Sequence, residues 1–91
     1  MEWLASGLRR DVCILLFGRE LRVQRAKSLL ESRYGRRIPP DRFHGAISAL
    51  EQNGYVEKRV DGLHDVCSLT EAGRNRAVAQ YEWMQSRFED A

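Results

Sequence analysis

The chain has 91 residues, 43% hydrophobic and 31% charged, with a formal net charge of +2. That composition is of one globular domain, 1–91, and not of a disordered tail. Its longest apolar run, residues 12–17, is far short of the about 20 residues that cross a bilayer, so no membrane partner is expected.

In chain order, Leu8, Val12, Leu15 and Leu16 recur at helical intervals. They predict a first helix over 6–17, capped by Ser6 and stopped by Gly18. Residues 19–21 read as a short connection. A second helix over 23–34 turns Val23, Ala26, Leu29, Leu30 and Tyr34 inward and Arg22, Arg25, Lys27, Glu31 and Arg33 to solvent. It ends at Gly35, because Pro39 and Pro40 cannot continue a helix and restrict the residues before them. Asp41 is the expected N-cap of a third helix of about 12 residues. Phe43, Ala46, Ile47 and Leu50 face inward there, and Arg42, His44, Gly45, Ser48 and Gln52 outward.

The period then changes to two. Residues 55–60 and 64–69 are strand candidates around an Asp61, Gly62 turn. Val56, Val60, Cys67 and Leu69 are expected to face inward, while Tyr55 and Val66 need cover on the opposite face. Thr70 caps a last helix over 71–88, where Ala77, Tyr81, Met84 and Phe88 form one stripe with Val78 beside it and Trp83 on a flank. A helix of about 18 residues is about 27 Å long, more than a three-helix core covers. Three helices and a hairpin are the winged helix-turn-helix arrangement, mainly α with a small β-hairpin. Its third helix faces a major groove about 12 Å wide.

Residues 11–16 (DVCILL), 36–51 (RRIPPDRFHGAISALE), 54–59 (GYVEKR) and 69–74 (LTEAGR) resemble the PadR-like winged-helix transcriptional regulators. The likeness is to their short haloarchaeal members in particular, and it covers about residues 8–75. The segment 69–73 after a hairpin marks winged-helix regulators generally and is shared with MarR-like proteins. The resemblance implies a homodimeric, sequence-specific binder of double-stranded DNA, often a repressor acting by promoter occupancy, with no cofactor. It also implies that Trp3, Leu4 and Leu8 form the dimer contact with helix 70–89, through Ala77, Tyr81, Trp83, Met84 and Phe88. Aromatic and Met side chains are enriched at such interfaces, and the other reading of these residues is a plain core role.

Charge is spread unevenly: residues 1–40 carry a net +5 and residues 41–91 a net −3. Arginine's rigid fork suits phosphates and base edges, so the basic half allows a nucleic-acid face, a solvated surface being the alternative. The family usually carries Arg or Lys where this chain has Gly45, Ser48 and Ala49, which leaves base readout to Arg42, His44 and Ser48, and to Gln52 if the helix tilts inward. Arg36 and Arg37 precede the third helix as phosphate clamps would, and Arg22 and Arg25 complete a basic rim. Lys58 and Arg59 alternate to opposite faces of the wing, so one of them is expected to touch DNA. Ion pairs with Glu20, Glu31 and Glu51 are the competing account of these cations. Gly45 costs the helix roughly 0.8–1 kcal/mol relative to Ala, either for clearance over a groove or for tight packing on the second helix. The acid-flanked wing tip argues against deep minor-groove insertion.

The alternative function is a winged-helix protein–protein interaction module without specific DNA binding, to which the cation-poor third helix lends support. No catalytic constellation is expected, since His64 and Asp65 are strand neighbours that point apart and Glu71 has no convergent partner. Cys13 and Cys67 read as buried free thiols of a cytoplasmic protein, with a disulfide as the other option. With His44 and His64 they lack the paired spacing of a metal site. Residues 1–8 do not read as a signal peptide, because Glu2 and Trp3 stand where a basic region belongs. No effector pocket is legible.

Overall fold

The computed structural model describes residues 7–91. The expected N-cap Ser6, and Trp3 and Leu4 of the expected dimer contact, lie outside them. The order is α1 (Gly7–Leu15), β1 (Leu21–Arg22), α2 (Val23–Tyr34), α3 (Pro40–Gln52), β2 (Val56–Asp61), β3 (His64–Leu69) and α4 (Glu71–Asp90).

α1 buries Leu8, Val12 and Cys13, and Leu16 follows them into the core from the turn that Gly18 reverses at φ +79°. The segment expected to be a bare connection contains β1, which pairs antiparallel with β3 through Leu21↔Cys67 and Arg22↔Val66. Two residues carry no readable period, so only the tertiary pairing defines this strand. The wing is therefore a three-stranded sheet of order β1-β3-β2.

α2 ends at Gly35, whose left-handed φ of +70° lets its N–H reach the Glu31 carbonyl. Lys27, expected in solvent, is buried instead. Its ammonium donates to Glu31 Oε2 at 2.8 Å, and the same oxygen accepts the Ile38 N–H at 2.9 Å. One carboxylate thus joins α2 to the proline turn and draws the lysine stem over the core.

α3 starts two residues earlier than an N-cap at Asp41 implied. Pro39 is the N-cap and Pro40 the first helical residue, where a missing N–H costs nothing. Asp41 sits in the first turn, where a carboxylate suits the helix dipole. Phe43, Ala46, Ile47 and Leu50 are all buried. Burying a side chain as large as Phe43 contributes on the order of 1.5–3 kcal/mol.

In the hairpin, Asp61 pairs with His64, so the turn is Gly62 and Leu63, with Gly62 at φ +66°. The register divides the sheet. Leu21, Cys67 and Lys58 share one row and face, and Arg22, Val66 and Arg59 share a row on the other. Val66 is buried between those two arginines, whose stems supply the cover it needed. Val60 has the inward parity of Val56 yet is 73% exposed, because the hairpin overshoots the core. Parity predicts a face but not how far the core extends beneath it.

Thr70 caps α4 by accepting the Gly73 N–H at 3.0 Å. α4 buries only Gly73, Ala77 and Gln80, and every residue from Tyr81 onward is exposed. Among the described residues, no helix is long and apolar enough to cross a membrane.

Candidate nucleic-acid interface

The buried residues of α3 fix which side it shows to solvent. With 3.6 residues per turn, Asp41, Gly45, Ser48 and Gln52 run down the middle of the exposed side. Arg42 and His44 fall on its two flanks. Of the expected readers, Ser48 and Gln52 are central. His44 is exposed, with its ring edge-on to Phe43 at a centroid distance of 6.3 Å. Asp41 escaped notice as a surface residue because it reads so well as a cap; its spacing of four from Gly45 was the available signal.

Gly45 is resolved by the space around it. A Cβ built on it would meet no atom within 4 Å. Tight packing against α2 is therefore not what this glycine serves.

Three cations gather at the start of α3. Arg36, Arg37 and Arg42 line one cleft of about 420 Å³, together with Asp11, Tyr34 and Ile38. Within it the Asp11 carboxylate is already engaged, accepting from the Tyr34 hydroxyl at 2.5 Å and from Arg10 Nε at 3.2 Å. Burial and that carboxylate push the Tyr34 phenol up to about 12. Arg22 and Arg25 are exposed at the start of α2. Among the described residues, none of these five arginines has a carboxylate within ion-pair distance.

The wing cations differ. Arg59 is paired with Glu20 at 2.5 Å and Lys58 with Glu51 at 3.8 Å. With Lys27–Glu31, the three glutamates named as competitors all pair with cations, and none lies within ion-pair distance of Arg36, Arg37 or Arg42. Lys58 and Arg59 do lie on opposite faces, as strand alternation requires.

A second surface faces away from the core. Ile14, Phe17, Ala77, Val78 and Tyr81 line a groove of about 380 Å³, and Tyr81, Met84 and Phe88 line a further one of about 330 Å³. Leu8 and Ala77, expected at a dimer contact, are core residues of the protomer at 9% and 2% exposure. Ala77 begins the stripe and falls on the buried side, so the exposed part is Tyr81, Met84 and Phe88. Ile14 and Phe17 are the additions, hidden in the sequence inside an apolar run that reads as pure core. Trp83 is exposed too, but on another side of α4 from Tyr81.

Cys13 and Cys67 are free and buried, and burial pushes their thiols up to about 12 and about 11. No group of His, Cys, Asp and Glu among the described residues could hold a metal ion.

Known proteins give the same fold. No protein-family model and no curated protein matches the chain. Among solved structures, RosR of H. salinarum superposes with a TM-score of 0.86 at 25% identity, over 91% of this chain and 76% of that one. BigR, a transcriptional repressor from Xylella fastidiosa, gives 0.70 at 22% identity, over 93% and 79%. A homodimeric winged helix-turn-helix DNA-binding domain from Mycobacterium bovis gives 0.73 at 19% identity, over 97% and 76%. The chain therefore has the winged helix-turn-helix fold, with a long C-terminal helix, and is structurally similar to winged-helix transcriptional regulators.

Proposed function

We propose that this chain is a homodimeric, sequence-specific regulator that binds double-stranded DNA in the cytoplasm, of the PadR-like kind, and represses by occupying a promoter. One observation carries the reading. The outward side of α3 is free of the core, small and polar, and Arg36, Arg37 and Arg42 share a cleft at its start with no ion-pair partner among the described residues. Such cations exchange counterions for backbone phosphates, while the face beside them meets base edges. The fold it shares with a transcriptional repressor and a DNA-binding domain supports the same reading.

The homodimer follows from α4. Its last turns leave Tyr81, Met84 and Phe88 exposed among the described residues. A second copy covering this stripe and the Ile14, Phe17 groove would bury them, and the M. bovis domain of the same fold is itself homodimeric. Sedimentation at micromolar concentration should return twice the monomer mass; a monomer would sink the dimer.

DNA binding is tested by selecting bound sequences from a random duplex pool at physiological salt. A near-palindrome with half-sites about 34–36 Å apart is expected. An enriched pool with no motif would refute sequence-specific recognition. A second reading, a protein-interaction module, draws on the acidic Asp41 and the lack of any cation in the middle of α3. Failure to bind duplex DNA even below about 100 mM salt would select it.

A further inference from the structure

Resting on the DNA-binding reading, we infer that Gly45 is a specificity-determining residue: its missing side chain is the clearance that lets α3 bring short groups within reach of base edges. Gly45 stands in the interior of a 13-residue helix, with no positive φ to require glycine. Among the described residues nothing packs on it: beyond its own helix backbone a Cβ would meet no atom within 4 Å, and the position is exposed. Local conformation, packing and capping therefore give no reason for the residue that weakens a helix interior most after proline.

The reason lies outside the protomer. Gly45 is the midpoint of the outward line, one turn from Asp41 and one from Ser48, with Gln52 a turn beyond. Ser48 has a short reach, so its hydroxyl meets a base only when the helix backbone comes unusually near the groove floor. A methyl at position 45 would hold the helix away at its centre and withdraw Ser48 together with it. The arginines are unaffected, because they reach phosphates from the flanks on long, adjustable stems. Clearance thus acts on base reading and leaves backbone binding alone.

The test is Gly45→Ala, with folding and binding read separately. Thermal unfolding should shift upward by roughly 3–8 °C, because alanine removes the helix cost in open space. Affinity for the duplex that the wild type selects should fall by roughly 5- to 150-fold, about the effect of a mismatched base pair. Affinity for random duplex at low salt should not change.

A lowered melting temperature would show that Gly45 packs on something and would overturn the inference. So would unchanged affinity for the selected duplex, or an equal loss on both duplexes. If the wild type itself selects no motif, the DNA-binding reading fails and this inference with it. That outcome is recognised without the variant.

Discussion

A side chain on Gly73 would run into the backbone of Tyr55: its Cβ would lie 2.0 Å from the Tyr55 carbonyl oxygen. That oxygen also accepts the Thr70 N–H at 3.1 Å, and the Thr70 hydroxyl donates to the Gly54 carbonyl at 2.6 Å. The start of α4 is thus pressed on the end of the α3–β2 connection, with glycine at the tightest point. This gives a physical role to Thr70 and Gly73 of the 69–73 segment.

Gly73→Ala is expected to destabilise the protein by about 1–3 kcal/mol, the usual effect of overpacking. The sign is opposite to that at an exposed helical glycine, where alanine helps. Thr70→Ala should lose about 1 kcal/mol from the cap. Urea unfolding of both variants checks this, and a Gly73→Ala protein as stable as the parent would contradict the close approach.

Stability should also carry the signature of Glu31 on the acid side. The Lys27 ammonium first, and then the Ile38 N–H, holds its carboxyl below the ordinary 4.5. As pH falls, the unfolded chain takes up this proton before the folded one does. The stabilisation is therefore complete above about 4.5 and lost as pH falls through the folded value. Glu31→Gln should melt lower than the parent at neutral pH, with the gap closing in acid. A gap independent of pH would show that the ionised carboxylate is not what holds the proline turn.

Tyr34 gives the mirror case. Burial, then the hydrogen bond to Asp11, raises its phenol from 10.0 to about 12. The unfolded phenol ionises first as pH rises, so this contribution is intact below 10 and disappears toward 12. Tyr34→Phe should narrow its stability deficit between pH 9 and 11, measured by denaturant unfolding. A constant deficit across that range would refute the linkage.

The helices were legible because apolar spacing alone sets them. Phe43, Ala46, Ile47 and Leu50 define a face whatever surrounds them, and Thr70 and Gly35 mark ends by local chemistry. The misread positions depend on partners that residue type and period do not reveal. Lys27 is polar by type but is drawn inward by a carboxylate one turn away, and β1 exists only because β3 offers it hydrogen bonds. Ile14 and Phe17 are exposed within the apolar run 12–17, because a sequence shows apolar character but not where the core stops. For the candidate interface, spacing put Ser48 on the exposed side of α3, whereas sorting unpaired arginines from paired ones among the described residues needed coordinates.

Neither thiol should behave as a redox sensor. Cys13 and Cys67 are fully buried, and burial raises both thiols, so little thiolate is present at neutral pH. Labelling with a disulfide reagent at pH 8 should proceed only as fast as the protein opens, and addition of urea should release both thiols. A fast native burst from either would show an access route that this packing lacks.

The sharpest electrostatic contrast is between arginines that are unengaged and one that is not. Arg36 and Arg37 line a cleft beside α3 without ion-pair partners among the described residues, whereas Arg59 is held by Glu20 across the sheet face. Each phosphate contact steepens the fall of log K with log salt by about 0.9. Replacing Arg36 and Arg37 together by Gln should flatten that slope by close to two such contacts, on selected and random duplex alike. Arg59→Gln should change it less, because the Glu20 carboxylate already neutralises that cation and repels phosphate. Glu20→Gln is the discriminating variant, since it frees Arg59 without adding charge to any other element. If the wing lies over the DNA backbone, Glu20→Gln should tighten binding at 50 mM salt and steepen the slope. Fluorescence anisotropy between 50 and 200 mM salt reads all three variants. An unchanged slope in Glu20→Gln would place Arg59 away from DNA and leave it as the stem that covers Val66.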